Sequence, residues 1–476
     1  MGRYCRTFHL YSAFSHGVHY TALRTKRGPG SGARPARTAS PGPLPQDTSA
    51  PARRGRAILA TRAGVTAMGL WDRLFGSSQA RFARQMIAAL RRAGFSGPMK
   101  YEAAAFRLVG TGESVFQIHL GNLYDEYLAT PPAERPQAVE HFAQALVADQ
   151  SFDWPQSFEE ALPNLRPWVR ERFYVESLRL HSRLGEFDFT DLPHRVLAEH
   201  LAVLLAYDRP GSVAGVPAPQ LEAWGVSFDE AVEAGADRLR ETTPVEGFEL
   251  MAPGVYVSTW HDCYDASRMY LTDVMRALDV QGDPVAIPAN RNLLLVCGSD
   301  DPRGLATMAR LADDALKKPR PLSGVAARLL EDEWVHFMPD PDHPAWGGLR
   351  RLLTGSHGRD YAEQKEILDA LHEQTGEDVF VASYSMVGQE KTGELLFTYC
   401  VWSETVDTLL PKAERVVLNA WKNNQARCLG YADWGRVTAV CGDLMEPMGL
   451  YPERYRVREF PTPEQIEALE LKGMDD

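Results

Sequence analysis

The chain has few cysteines and no pairing pattern among them. The six, Cys5, Cys263, Cys297, Cys400, Cys428 and Cys441, lie far apart, and no Cys-x-x-Cys occurs. That is too few for a disulfide framework in 476 residues, and the spacing is wrong for a zinc ribbon. Cys297 sits in an apolar run and Cys400 in an alternating one, so reduced, buried thiols and a cytoplasmic location are expected. Long apolar runs are missing too. The most apolar stretch, Val196–Tyr207, contains Glu199 and His200 and falls short of the about 20 residues that a bilayer span needs. No membrane partner is therefore expected. Reaction signatures are also absent: there is no Gly-x-Ser-x-Gly elbow and no His-Glu-x-x-His. Such absences do not exclude an active site assembled from distant residues.

Acidic residues are nearly missing from the first 67 positions, which hold eleven Lys/Arg and only Asp47. The whole chain carries a formal charge of −12, so the remainder carries −22. A surface that acidic repels phosphate backbones, and no nucleic-acid partner is expected for the folded part. Gly28–Arg56 is Gly, Pro, Ser, Ala and Arg, with too little apolar surface to offset ordering entropy, so residues 1–67 read as a disordered basic extension. Three explanations compete: a basic arm, an organellar transit peptide, and an over-extended gene model with the start at Met68. The third is favoured, because Gly, Pro, Ala and Arg are what GC-rich DNA yields in any frame.

The chain as a whole has ordinary globular composition, with 44% hydrophobic and 24% charged residues. Phe82, Met86 and Leu90 recur at helical spacing, and Gly94 stops the helix. Gly110-Thr-Gly112 lies between two strand-like runs and reads as a hairpin turn. Ser227 with Glu230 makes a capping box for a helix over 227–240. Strands are expected over 254–260, 284–287, 292–297 and 333–338, with helices over 265–278 and 303–317. Residues 340–358 read as a linker. Beyond it come a helix over 360–374 and strands over 378–386, 395–402, 415–421, 435–441 and 455–460. The expected fold class is α+β: a mixed α/β domain over 68–339, then a smaller, mainly antiparallel α+β domain over 359–476.

Several segments resemble one bacterial family. They are Leu201-Ala-Val-Leu-Leu-Ala-Tyr-Asp-Arg-Pro-Gly-Ser-Val, Leu221-Glu-Ala-Trp-Gly-Val-Ser, Asp262-Cys-Tyr-Asp-Ala-Ser-Arg268, Val285-Ala-Ile-Pro, Leu293-Leu-Leu-Val and Pro321-Leu-Ser. In that order they are similar to the YtpQ-like family of unknown function, over roughly residues 82–338. The resemblance implies a bacterial cytosolic protein and no particular reaction. Cys263 stands where the family usually has glycine, which argues against a nucleophilic role.

Asp262, Asp265, Ser267 and Arg268 are the candidate ligand-binding residues. A strand feeding a helix there would gather free N–H groups and a guanidinium around a small anion. The structural reading competes with it: Asp265 as N-cap and Arg268 paired with Asp262. His336 and His343, with Asp340 and Asp342, have metal-ligating chemistry but lie on a strand and a Pro-broken linker, so neither a metal nor a cofactor is expected. Lys391-Thr392 lacks the leading glycine of a phosphate loop and reads as part of a hairpin. Trp402, Trp421, Trp434, Tyr399 and Tyr431 read chiefly as core. The leading expectation is a non-enzymatic binding or adaptor protein, with a protein partner or small anionic ligand. The alternative is an enzyme acting on a small anionic or phosphorylated ligand at the Asp262–Arg268 turn.

Overall fold

The run Leu201–Tyr207 is apolar at every position because both faces of its strand are covered. In the computed structural model, Ala202, Leu204 and Ala206 face one hydrophobic core, and Val203, Leu205 and Tyr207 face another. Such continuous apolarity marks a doubly covered strand. The structure describes residues 78–103, 106–110, 117–150, 153–185, 191–209, 212–389, 395–422 and 425–473. The basic extension, residues 111–116 and residues 390–394, with Lys391 and Thr392, lie outside them.

Strand Leu201–Arg209 pairs antiparallel with Leu165–Glu171 along one edge. Its other edge is shared by His194–Ala198 and Ser212–Gly215. A second, six-stranded antiparallel sheet runs in the order Glu333–His336, Ala327–Leu330, Pro284–Asn290, Leu293–Gly298, Val255–Ser258, Phe248–Ala252. Alternation again divides its strands between two cores. Ala286, Leu294 and Val296 meet the first sheet across Trp168 and Met269, while Val285, Ile287, Leu295 and Cys297 meet helix Pro302–Leu316 through Leu305 and Met308. Helix Phe228–Glu241 covers the far side of the first sheet with Ala231 and Val232. Its start is the expected capping box: Ser227 Oγ accepts from Glu230 N, and Glu230 Oε2 accepts from Ser227 N.

The N-terminal helix Ser78–Arg92, a three-stranded meander (Met99–Glu102, Arg107–Gly110, Gln117–His119) and helices Gly121–Ala129 and Arg135–Gln150 form a core of their own around Phe82, Met86, Leu108 and Phe142. Antiparallel pairing of Arg107–Gly110 with Gln117–His119 fits the hairpin expected at Gly110.

The expected linker is different. Residues 346–358 open a single helix, Trp346–Thr375, closed by Gly376 at φ 72°. Glycines 347, 348, 355 and 358 weaken its helical signature, each costing about 1 kcal/mol against alanine. Two of them are close-approach points. A Cβ at Gly348 would lie 3.1 Å from Ala309 Cβ, and one at Gly358 would lie 3.1 Å from Met386 Cε. The first half of the helix buries Leu349 and Leu352 against the six-stranded sheet's helix, and the second buries Ile367, Leu368 and Leu371 against Phe173, Val381 and Leu409. Residues 82–476 accordingly form one compact unit.

After the helix come two four-stranded sheets, Ser385–Gly388/Leu395–Ser403/Arg415–Lys422/Gln425–Asp433 and Phe380–Val381/Thr408–Pro411/Arg454–Val457/Glu446–Pro447. Each contains one parallel pair. Residues 435–441, expected as a strand, lie in the helix Trp434–Cys441, which buries Val437 and Cys441 one turn apart. The fold class is α+β. Trp402 and Tyr431 are buried, whereas Trp421 is exposed. No described helix is long and apolar enough to cross a membrane.

Candidate functional site

The Asp262–Arg268 turn follows strand Val255–Ser258, and its four candidate residues do come together, with Asp265, Ser267 and Arg268 buried and Asp262 half-buried. Arg268 is fully buried and grips Asp262 with both terminal nitrogens, Nη1 to Oδ1 at 2.8 Å and Nη2 to Oδ2 at 2.7 Å. Its Nε donates to Thr243 Oγ1, and the guanidinium stacks 4.0 Å from the Trp260 ring centroid. Ser267 Oγ accepts from Val169 N, tying the turn to the first sheet. Asp265 is not an N-cap. Its backbone is already helical, Oδ2 accepts from Asp262 N, and burial raises its carboxyl's pKa. The expected 265–278 helix is a 3₁₀ turn, Ala266–Tyr270, followed by the short helix Thr272–Arg276. A guanidinium sealed from solvent and spent on a carboxylate cannot receive an anion, so this turn is a clamp between sheets. Cys263 sits at φ 71°, in the left-handed region where glycine is at ease.

The chemically open site lies elsewhere. A cleft of about 490 Å³ forms where helix Gly121–Ala129, the end of strand Leu165–Glu171, helix Arg172–Arg183, the Arg291 turn, residues 316–321 and the long helix meet. Its charged lining includes Arg291, Lys318, Arg320 and Arg359 together with Glu171, Asp360 and Glu363. Some of these charges are already committed. Arg320 pairs with Glu126 at 2.6 Å, and Arg359 Nη2 donates to Leu322 O. Arg291, Asp360 and Glu363 have no side-chain hydrogen bond or ion pair among the described residues, although Asp360 is only 9% exposed.

Their electrostatics follow from that isolation. Burial, against partial relief from Arg359, pushes the Asp360 carboxyl up to about 7. Burial and then the neighbouring Asp360 push Glu363 well above the carboxylate range. Burial and then Arg320 lower the basicity of Arg291. Close to Arg291 and Glu171, Arg170 is 1% exposed and stacks 3.8 Å from the Trp168 centroid, with Nε and Nη2 unpartnered. Burial lowers its pKa well below the ordinary arginine value, and the Arg291 charge lowers it further. An unpaired guanidinium and unpaired buried carboxyls lining one cleft are costly when empty and suit a ligand bearing both signs.

Metal-ligating side chains gather at a separate place. Glu199 and His200 form the turn between strands His194–Ala198 and Leu201–Arg209, and His336 ends its strand beside them. One ligand atom from each of the three lies within 4.8 Å of the others. His357, on the long helix, brings Nε2 to 2.9 Å from His200 Nε2. His200 Nδ1 is held by Tyr451 Oη at 2.5 Å. Burial and the nearby His357 lower His200 to about 2, while burial and the nearby His336 lower His357 to about 4. Both rings are thus neutral at pH 7. His343 does not join: its Nδ1 accepts from Ala345 N at the start of the long helix, and Asp340 and Asp342 also lie outside the three-residue group.

Sequence reasoning singled out His336 but none of the cleft residues. The one signal for His200 was a polar break in the otherwise apolar stretch Val196–Tyr207, and that break is the turn between two strands. No family model, no curated protein and no solved structure matches the chain.

Proposed function

We propose that the chain is a non-enzymatic, YtpQ-like binding protein of the bacterial cytoplasm that holds a small zwitterionic solute in the 490 Å³ cleft. The observation that carries the reading is the unpaired Asp360, with Glu363, facing a cleft that also presents the unpaired Arg291. The volume lies in the range of small-molecule sites, and the charged lining selects a polar occupant over an apolar one. A ligand carboxylate or phosphate would meet Arg291, and its ammonium would meet Asp360 and Glu363, ionising a carboxyl that is protonated in the empty cleft.

Titration calorimetry tests this with L-amino acids and phosphoethanolamine as zwitterions, and with acetate and methylammonium as single-charge controls. Zwitterions are expected to bind with proton release, seen as a dependence of the heat on buffer ionisation. Arg291→Ala and Asp360→Asn are each expected to weaken binding at least about tenfold, the loss of roughly one charge-assisted contact. Absence of binding across the panel, or wild-type affinity in both variants, overturns the proposal.

A further inference from the structure

The cluster of Glu199, His200, His336 and His357 makes no contribution to the cleft, and it presents more nitrogen lone pairs than its own hydrogen bonds use. A neutral imidazole has one donor and one acceptor. His357 Nε2 lies 3.1 Å from His200 Nδ1 and 2.9 Å from His200 Nε2, so one nitrogen faces both nitrogens of the neighbouring ring. His336 Nδ1 is buried and has no hydrogen-bond partner. Packing alone gives no reason for three imidazoles and a carboxylate to converge with a nitrogen left orphaned.

We infer that Glu199, His200 and His336 bind a first-row divalent transition metal ion of the zinc type, with His357 adjoining the group through His200. Zinc bonds to imidazole nitrogen and carboxylate oxygen are about 2.0–2.2 Å long, so tetrahedral donors stand roughly 3.4 Å apart. The Glu199 Oε1–His200 Nε2 separation is 4.0 Å, and the donors of the three residues span no more than 4.8 Å, a group that closes on an ion by side-chain rotation. Two of the three donors are imidazole, which favours zinc, cobalt or nickel over calcium or magnesium. The orienting contact is present as well. Tyr451 Oη holds His200 Nδ1, leaving Nε2 as the ligand atom, which is the way a metal-bound histidine is ordinarily fixed through its second nitrogen. The donors come from a turn and a strand end, both packed in one unit, so the site is held by the fold and not by a mobile loop.

The test uses the full chain without an affinity tag, stripped with a chelator and dialysed. Zinc alone is titrated in competition with a chromogenic chelator, and cobalt alone is followed by its visible absorption. One ion per chain, with the intense absorption of tetrahedral cobalt, is the expected result. His336→Ala is expected to weaken zinc binding at least about tenfold, the scale on which even supporting partners of metal sites act. Its melting temperature in chelator should match that of the wild-type chain. Glu199→Gln, on an exposed side chain, is the second variant should the first fail to fold, and it should also lose affinity. Failure to bind one zinc per chain, or wild-type affinity in a folded variant, overturns the inference. Neither outcome bears on the cleft, whose residues are untouched by these substitutions.

Discussion

The Asp360 carboxyl is buried without a partner, and that isolation has a sign. Its pKa rises from 3.8 to about 7 on folding, so between those values the native state keeps a proton that the unfolded chain has released. Stability must therefore fall as pH rises through this window and stay low above it. A shift of about three units corresponds to about 4 kcal/mol as an upper figure. Asp360→Asn removes the ionisation. The variant is expected to be more stable than the wild type by about 2–4 kcal/mol at pH 8, and nearly equal at pH 4. Urea midpoints at the two pH values check this; equal gains at both would show that something other than ionisation is at work. At this scale the sequence was partly legible. The Asp262–Arg268 residues do cluster, as their spacing suggested. Which way they face depends on Thr243, Trp260 and Val169, and no local pattern reports those partners.

Elements were legible where their causes are local. The Ser227–Glu230 capping box and the Gly94 stop are set within a few residues, and both were read correctly. The helix Trp434–Cys441 was not, because eight mostly apolar residues satisfy helical and strand periods alike. The long helix was misread for the opposite reason. Its glycines and His357 weaken local propensity, and only packing at both ends restores it. Leu352→Ala and Leu371→Ala test that account. Each removes a buried side chain from a different core, and each is expected to cost about 2–5 kcal/mol. A cost under about 1 kcal/mol at either end, measured by denaturant unfolding, would mean that half of the helix is not held by packing.

For the whole molecule, the covered faces and the bridging helix make residues 82–476 one unit where composition suggested two domains and a linker. A consequence is shared unfolding. Tryptophan fluorescence, which reports Trp168 and Trp402 together, and far-ultraviolet circular dichroism are expected to trace coincident urea transitions. Two resolved steps would restore the two-domain picture. The candidate cleft was illegible at this scale because its walls come from residues as far apart as Asp125 and Glu363. Composition and periodicity describe neighbours in the chain, whereas this site is made by neighbours in space.

The thirty-residue helix Trp346–Thr375 also sets a phase. His357, Arg359, Asp360 and Glu363 ride on it within two turns, downstream of the contacts of Leu349 and Leu352. One residue inserted between Leu352 and His357 would turn those four side chains by about 100° and advance them about 1.5 Å. His357 would leave the imidazole cluster, and Asp360 and Glu363 the cleft, together, with no ligating or charged residue changed. Both sites share a single angular reference, and a seven-residue insertion, near two full turns, would bring the angle back while leaving the chain about 10 Å out of step.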